Sequence, residues 1–304
     1  MKILFMAGGL GNQLLRYIFA RYIEEATGEE VIFDDSLYIL KDEHNGYELE
    51  RIFGIRTKRI SDIISFSDIK GEANELGMYE YLLSKNPYLN LVAEFQLYRY
   101  LMQYLHGVNI SKGFDNLHYS LPSGTFCPSV SKLQGDLYYY GLWWNPFWFY
   151  AIKDKIVNEL RFPEIKDPDN QRLKKSILNS NSVGIHIRLG DSKVGKFSAP
   201  LDMEFCKTSV EHIKGVFHNP AFFIFTDDKS WVGRNYLDMG LSKHDNLTFV
   251  TENRGLNDFI DMQLMSYCKS LIAPNSSFSS LATLLNQHQN KYVIRPGRIT
   301  RPSY

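Results

Sequence analysis

Lys2-Ile3-Leu4-Phe5-Met6-Ala7-Gly8-Gly9-Leu10-Gly11-Asn12-Gln13 opens the chain, and its reading sets the fold class. Residues 2–6 form an apolar run of strand length, Gly8 to Gly11 a tight turn. From Asn12 to Ala26 the residues Leu15, Phe19, Tyr22 and Ile23 recur at helical spacing, and Val31 to Phe33 reads as the next strand. Strand, glycine loop, helix and strand in that order define an α/β unit. The opening run is too short for a signal peptide, which needs a longer apolar region and a cleavage site.

Further along, periodicity weakens from Tyr47 to about Ser131. Tyr138 to Tyr150 then packs nine aromatics into thirteen residues and leads into a helical pattern ending near Leu160. The polar, proline-containing stretch from Arg161 to Gln171 reads as a linker. Beyond it the alternation is regular. Strands are expected at Val183–Ile187, Ala221–Thr226, Leu247–Val250, Leu271–Ala273 and Tyr292–Ile294; helices are expected at Glu204–Val216, Leu256–Cys268 and Ser276–Gln287. This is a second α/β unit with a parallel sheet, whose ligands belong beyond the carboxyl ends of the strands.

The 304 residues, 44% of them hydrophobic, suffice for two medium α/β domains, divided here as 1–165 and 166–304. Lys plus Arg equals Asp plus Glu at 34 each, so no overall field draws the protein to nucleic acid or an anionic membrane. Cys127, Cys206 and Cys268 are widely spaced, odd in number and form no CxxC pair, which argues against a disulfide framework and favours a reducing compartment. No stretch approaches the roughly 20 apolar residues of a spanning helix, leaving peripheral contact as the most membrane association expected.

Four clusters carry chemistry. In Gly8-Gly9-Leu10-Gly11-Asn12-Gln13 a glycine loop feeds a helix whose N–H groups can face an anion or a reacting oxygen; the plainer alternative is a turn with Asn12 as helix cap. A dinucleotide fingerprint would need a third glycine where Leu14 stands, although Asp34 and Asp35 after the second strand keep that reading open. In His186-Ile187-Arg188-Leu189-Gly190-Asp191, a strand period of two sets His186 and Arg188 on one face. A guanidinium fork there suits a diphosphate; an Arg188–Asp191 ion pair is the alternative. Phe225-Thr226-Asp227-Asp228 ends a strand in neighbouring carboxylates, read as acceptors for a base or ribose, or as helix caps. The only Asp-x-Asp, Asp167-Pro168-Asp169, falls in the linker, so no metal site follows. Asn275-Ser276-Ser277-Phe278 opens a helix and serves as caps or a phosphate seat. In the aromatic run most rings belong to the core; Trp143 and Trp144 are adjacent, so one of them is an acceptor-stacking candidate. The helix carrying Asp258 and Asp261 reads as core packing with a solvated face.

Taken in order, these motifs with Tyr47-Glu48-Leu49, Tyr140-Gly141 and Asp261-Met262-Gln263-Leu264-Met265-Ser266-Tyr267-Cys268-Lys269 resemble the bacterial α-1,2-fucosyltransferases of glycosyltransferase family 11. That resemblance implies a GT-B-like fold of two Rossmann-like α/β domains with a cleft between them. The N-terminal domain would serve the acceptor and the C-terminal domain the donor. It also implies GDP-β-L-fucose as donor, a galactose-containing oligosaccharide as acceptor, inversion, no metal or other cofactor, and surface-glycan synthesis on the cytoplasmic side. Arg188 takes the role of diphosphate ligand and Asn12 a place at the reaction centre. Gly9, Gly11, Gln13, His186, Gly190, Asp227, Asp228, Asn275, Ser276, Ser277 and Phe278 become donor-site residues, and Asp191 is the carboxylate candidate for the base. The chain departs from the family pattern at Leu15, Arg16, Leu189, Ser280 and Leu281. Rival readings are a transferase using another nucleotide sugar, a nicotinamide dehydrogenase built on the first glycine loop, and a non-catalytic sugar-binding protein.

Overall fold

The computed structural model describes residues 2–35, 37–38, 44–62, 128–133, 137–139, 141–189, 202–296 and 298–300. The chain divides into two compact units, Met1–Glu159 and Leu160–Tyr304.

In the first unit, β1 (Lys2–Phe5) lies between β2 (Val31–Asp34) and β3 (Leu137–Tyr139), all parallel. Helix α1 begins at Leu10, inside the predicted turn, and runs to Thr27, where Gly28 closes it in the left-handed region at φ 72°. Its N-cap is Gly9, so Asn12 stands in the first turn instead of capping it. More of α1 is buried than one apolar stripe requires, Gln13, Arg16 and Tyr17 included. Helix α2 (Leu49–Phe53), 3-10 turns at Ile60–Asp62 and Pro128–Lys132 and, further along, α3 (Pro146–Ala151) and α4 (Lys153–Glu159) also belong to the described part of this unit. Asn145 caps α3, its side chain accepting from Phe147 N at 2.8 Å.

Of the described rings of the aromatic run, Tyr139, Trp143, Trp148 and Phe149 are buried, and Phe147 and Tyr150 are exposed. Trp143 stacks face to face on Phe19 of α1, with ring centroids 3.6 Å apart, and Tyr139 and Trp148 meet Phe19 edge-on. Each such pair adds about 0.5–1.5 kcal/mol beyond its buried area.

The second unit carries a six-stranded sheet in the order β6-β5-β4-β7-β8-β9. The strands are β4 (Asn181–Ile187), β5 (Pro220–Thr226), β6 (Asn246–Val250), β7 (Ser270–Ile272), β8 (Tyr292–Arg295) and β9 (Arg298–Thr300). Only the last pair is antiparallel. Helices α5 (Pro168–Leu178), α6 (Met203–Val216), α7 (Lys229–Asn235), α8 (Phe259–Ser266) and α9 (Ser277–Leu285) cover it. Alternate residues of β4 divide between its faces. Val183, Ile185 and Ile187 pack with Cys206, Val210 and Ile213 of α6 and Val232 of α7. Gly184 faces the other way, and a methyl there would come within 2.8 Å of Leu271 and 3.2 Å of Cys268 Sγ. The Leu271 side chain of β7 and the Cys268 thiol therefore pack against β4 only because position 184 lacks a side chain.

The linker expected at Arg161–Gln171 is half right. Asp167 accepts from Asn170 N at 2.8 Å, Pro168 occupies the first turn, and α5 starts there. The Asp-x-Asp motif is thus a helix start. Among the described residues no helix is long and apolar enough to cross a membrane.

Candidate functional site

The strand order reverses direction at β4: from β4 the chain moves to β5 on one side, and from β7 to β8 on the other. Crevices beyond the carboxyl ends of two such neighbouring strands are where open α/β sheets take nucleotides. Three of the sequence clusters end there. Arg188 is the first residue after β4 and is half-buried. Leu189 N donates to Asp227 Oδ1 at 2.8 Å, tying the end of β4 to that of β5. Asp228 N donates to Thr226 Oγ1 at 3.0 Å, and Asp228 Oδ1 accepts from Trp231 N at 2.9 Å, so this carboxylate caps α7. Asn275 is exposed, and Ser276 is the N-cap of α9.

Two polar atoms in this crevice are buried without a hydrogen-bond partner among the described residues, His186 Nδ1 and Ser276 Oγ. The His186 ring leans on Phe278 in the first turn of α9, with centroids 5.7 Å apart. Burial pushes its pKa down to about 4, the nearby Arg188 charge adds to that, and Asp227 opposes it. The imidazole is therefore neutral at physiological pH. The first turn of α9 holds no acidic residue and no side-chain cap, which leaves its dipole unopposed toward an anion. Gly190 and Asp191 lie outside the described residues.

In the first unit the glycine loop is fastened from beneath. Arg16 Nη1 donates to Ala7 O at 2.8 Å, and the Tyr38 hydroxyl and Gln13 Nε2 both donate to Gly8 O, at 2.7 and 3.1 Å. Gly9 O accepts from Asn12 N and Gln13 N at 2.9 and 3.1 Å. Gln13 is fully buried; its second amide hydrogen goes to Gly46 O at 2.8 Å, and its oxygen accepts from Glu48 N at 2.8 Å. Both amide hydrogens of Gln13 are taken by main-chain carbonyls. It holds the loop to the 44–48 turn. Gly8 sits at φ 77°, with the Asn12 amide against it.

Two further residues are placed by the fold. Of the adjacent tryptophans, Trp143, at φ 53°, is the core one at 7% exposed, and Trp144, half-buried, is left as the acceptor-stacking candidate. Asp35, one of the two carboxylates that keep a dinucleotide reading open, accepts from Ser61 N and Oγ at 3.1 and 2.6 Å.

The sequence reading passed over Asp261. It lies in the first turn of α8, where Asn253 Nδ2 donates to its Oδ1 at 2.6 Å. Asn253 and Asn170 exchange amide hydrogen bonds of 2.9 and 3.0 Å, and Asn170 Nδ2 also reaches Asp167 Oδ1 at 3.1 Å. Burial pushes the Asp261 carboxyl up to about 7. The folded chain then binds this proton more tightly than the unfolded chain, so the stability tied to Asp261 is full at low pH. It falls as pH climbs from the unfolded value of 3.8 toward about 7. Asp261→Asn should match wild type at pH 4 and exceed it by about 2 kcal/mol at pH 8, below the full shift because part of the residue reaches solvent. Denaturant titrations of both proteins at the two pH values check this, with His186 contributing equally to each. Parallel curves would rule out a buried titrating carboxyl.

A crevice at the strand ends of one α/β unit and a braced glycine loop without the third fingerprint glycine in the other fit a transferase better than a dehydrogenase. The pattern of glycosyl transferase family 11 matches residues 2–301, and the chain belongs to that family. Among characterised relatives, an alpha-1,2-colitosyltransferase of Escherichia coli is 27% identical over 299 residues, covering 96% of this chain and 89% of its own. The O-antigen biosynthesis glycosyltransferase WbnK of the same organism is 23% identical over 307 residues, covering 96% and 92%. The fucosyltransferase NodZ from Bradyrhizobium superposes with a TM-score of 0.55 at 14% identity, over 99% of this chain and 98% of its own. A NodZ alpha-1,6-fucosyltransferase co-crystallised with GDP gives 0.55 at 14%, over 99% and 97%. The fold is that of the GT-B fucosyltransferases.

Proposed function

We propose that this transferase moves L-fucose from GDP-β-L-fucose to the 2-hydroxyl of a β-galactoside within a glycan acceptor, with inversion and without a metal. The observation that carries the donor half is the unpartnered pair His186 Nδ1 and Ser276 Oγ, beside Arg188 and the uncapped start of α9. A diphosphate supplies the acceptor oxygens that such a set lacks. Asp227 and Asp228 brace the crevice, and Asn275, Ser277 and Phe278 line its α9 side. Gly9, Gly11 and Asn12 serve the reaction centre from the glycine loop, with Gln13 fixing it. The 1,2 linkage in the name of the colitosyl relative and the GDP held by a fold neighbour support the reading.

Chemically, the acceptor oxygen attacks the anomeric carbon opposite the phosphate, the carbon–oxygen bond to GDP breaks, and its electron pair leaves on the phosphate. Arg188 and the α9 N-terminus stabilise that charge as it develops. The acceptor proton must go to a base. The colitosyl relative favours a second reading, the same architecture with colitose as the transferred sugar. Synthesis of a surface polysaccharide on the cytoplasmic face of the membrane, with at most peripheral contact, is the setting we propose. The test is GDP release from a panel of nucleotide sugars with lactose as acceptor and a chelator present. GDP-fucose should release GDP only when lactose is added; release with an activated colitose alone would favour the second reading.

A further inference from the structure

We infer that His44 is the side chain that takes the proton from the acceptor hydroxyl, an assignment that rests on the transferase reading. His44 adopts a left-handed backbone at φ 50°, a region non-glycine residues enter rarely and at a cost. It opens the turn that continues through Gly46, at φ 73°. That turn is fixed to the glycine loop by one buried residue, since Gln13 Nε2 donates both to Gly46 O and to Gly8 O. The imidazole lies against Gly9: a methyl built there would meet Nδ1 at 3.5 Å and Cε1 at 3.8 Å. On the adjacent glycine, Gly8, the same construction meets Asn12 Nδ2 at 2.5 Å. The imidazole and the Asn12 carboxamide therefore stand against consecutive residues, whose Cα atoms are about 3.8 Å apart.

Among the described residues, nothing uses this ring. His44 is exposed and makes no hydrogen bond or ion pair with the described residues. The charged and titratable groups around it have other work. Arg16 holds Ala7 O, the Tyr38 hydroxyl holds Gly8 O, and Glu48 pairs with Arg51. Lys41, Asp42 and Glu43 lie outside the described residues. A clamp that sets its distance from the loop and an idle imidazole at the loop's lip are what a general base requires, and the strained backbone marks a position held for function. The acceptor O–H proton passes to an imidazole nitrogen as the new oxygen–carbon bond forms, and solvent takes it after GDP departs.

The test compares wild type, His44→Asn and Asp191→Asn by the pH dependence of kcat/KM for GDP-fucose and lactose, with GDP affinity measured alongside. Asparagine tolerates the left-handed region, so the fold should survive. His44→Asn should lower transfer by roughly 10²–10⁴-fold, the usual worth of a general base, leave GDP affinity unchanged and abolish the acid limb of the profile. Asp191→Asn should keep that limb. An active wild type whose acid limb persists in His44→Asn, or disappears in Asp191→Asn instead, would overturn the assignment while the functional reading stands. A wild type that turns over no nucleotide sugar would overturn both.

Discussion

Arg188→Ala should lower fucosyl transfer by roughly 10²–10³-fold at saturating donor and acceptor, the loss of about 3–4 kcal/mol of transition-state stabilisation typical of one preorganised donor. The fold should persist, because β4 ends at Ile187 and its buried face belongs to Val183, Ile185 and Ile187. Arg188→Lys should recover only part of the rate, since an ammonium keeps the charge and loses the two-pronged contact with a diphosphate. Steady-state kinetics beside thermal unfolding separates the two effects. Wild-type turnover in Arg188→Ala would remove the phosphate role.

Gly8→Ala should be nearly as damaging by a different route. At φ 77° an added Cβ is strained by about 1–2 kcal/mol, and it would press within 2.5 Å of Asn12 Nδ2. The amide must then leave its place against the loop, although the three loop carbonyls stay tied from below. Transfer is expected to drop on the order of 10²-fold, as misplacement by about an ångström does elsewhere. GDP affinity should hold, because the groups proposed for GDP all belong to residues 160–304. Loss of GDP binding with transfer, or unchanged transfer, would contradict the positioning role of the loop.

Much of this architecture is legible in local sequence. The strand, loop, helix and strand of residues 2–34 follow from apolar spacing and glycine alone, as do β4 to β8, because each run matches one period. What escaped depends on distant partners. That Gln13 fixes the glycine loop has no local signal, because Gly46 and Glu48, more than thirty residues on, occupy its amide. Asp261 looks like part of a solvated face because Asn253 and, behind it, Asn170 reach it from other segments. Asp35 is fixed by Ser61. One miss was local: Asp167-Pro168 is a helix-start signal that the polar composition after it disguised as linker. The nearness of His44 to Gly9 has no local signal, for the clamp that creates it is tertiary.

The most direct test of the central claim places purified enzyme, GDP-fucose, lactose and chelator together and reads the product by NMR. An α-fucoside on the galactose 2-hydroxyl, formed at an undiminished rate with chelator present, is the predicted result. No fucosylated product, or one that forms only when a divalent cation is restored, would contradict it.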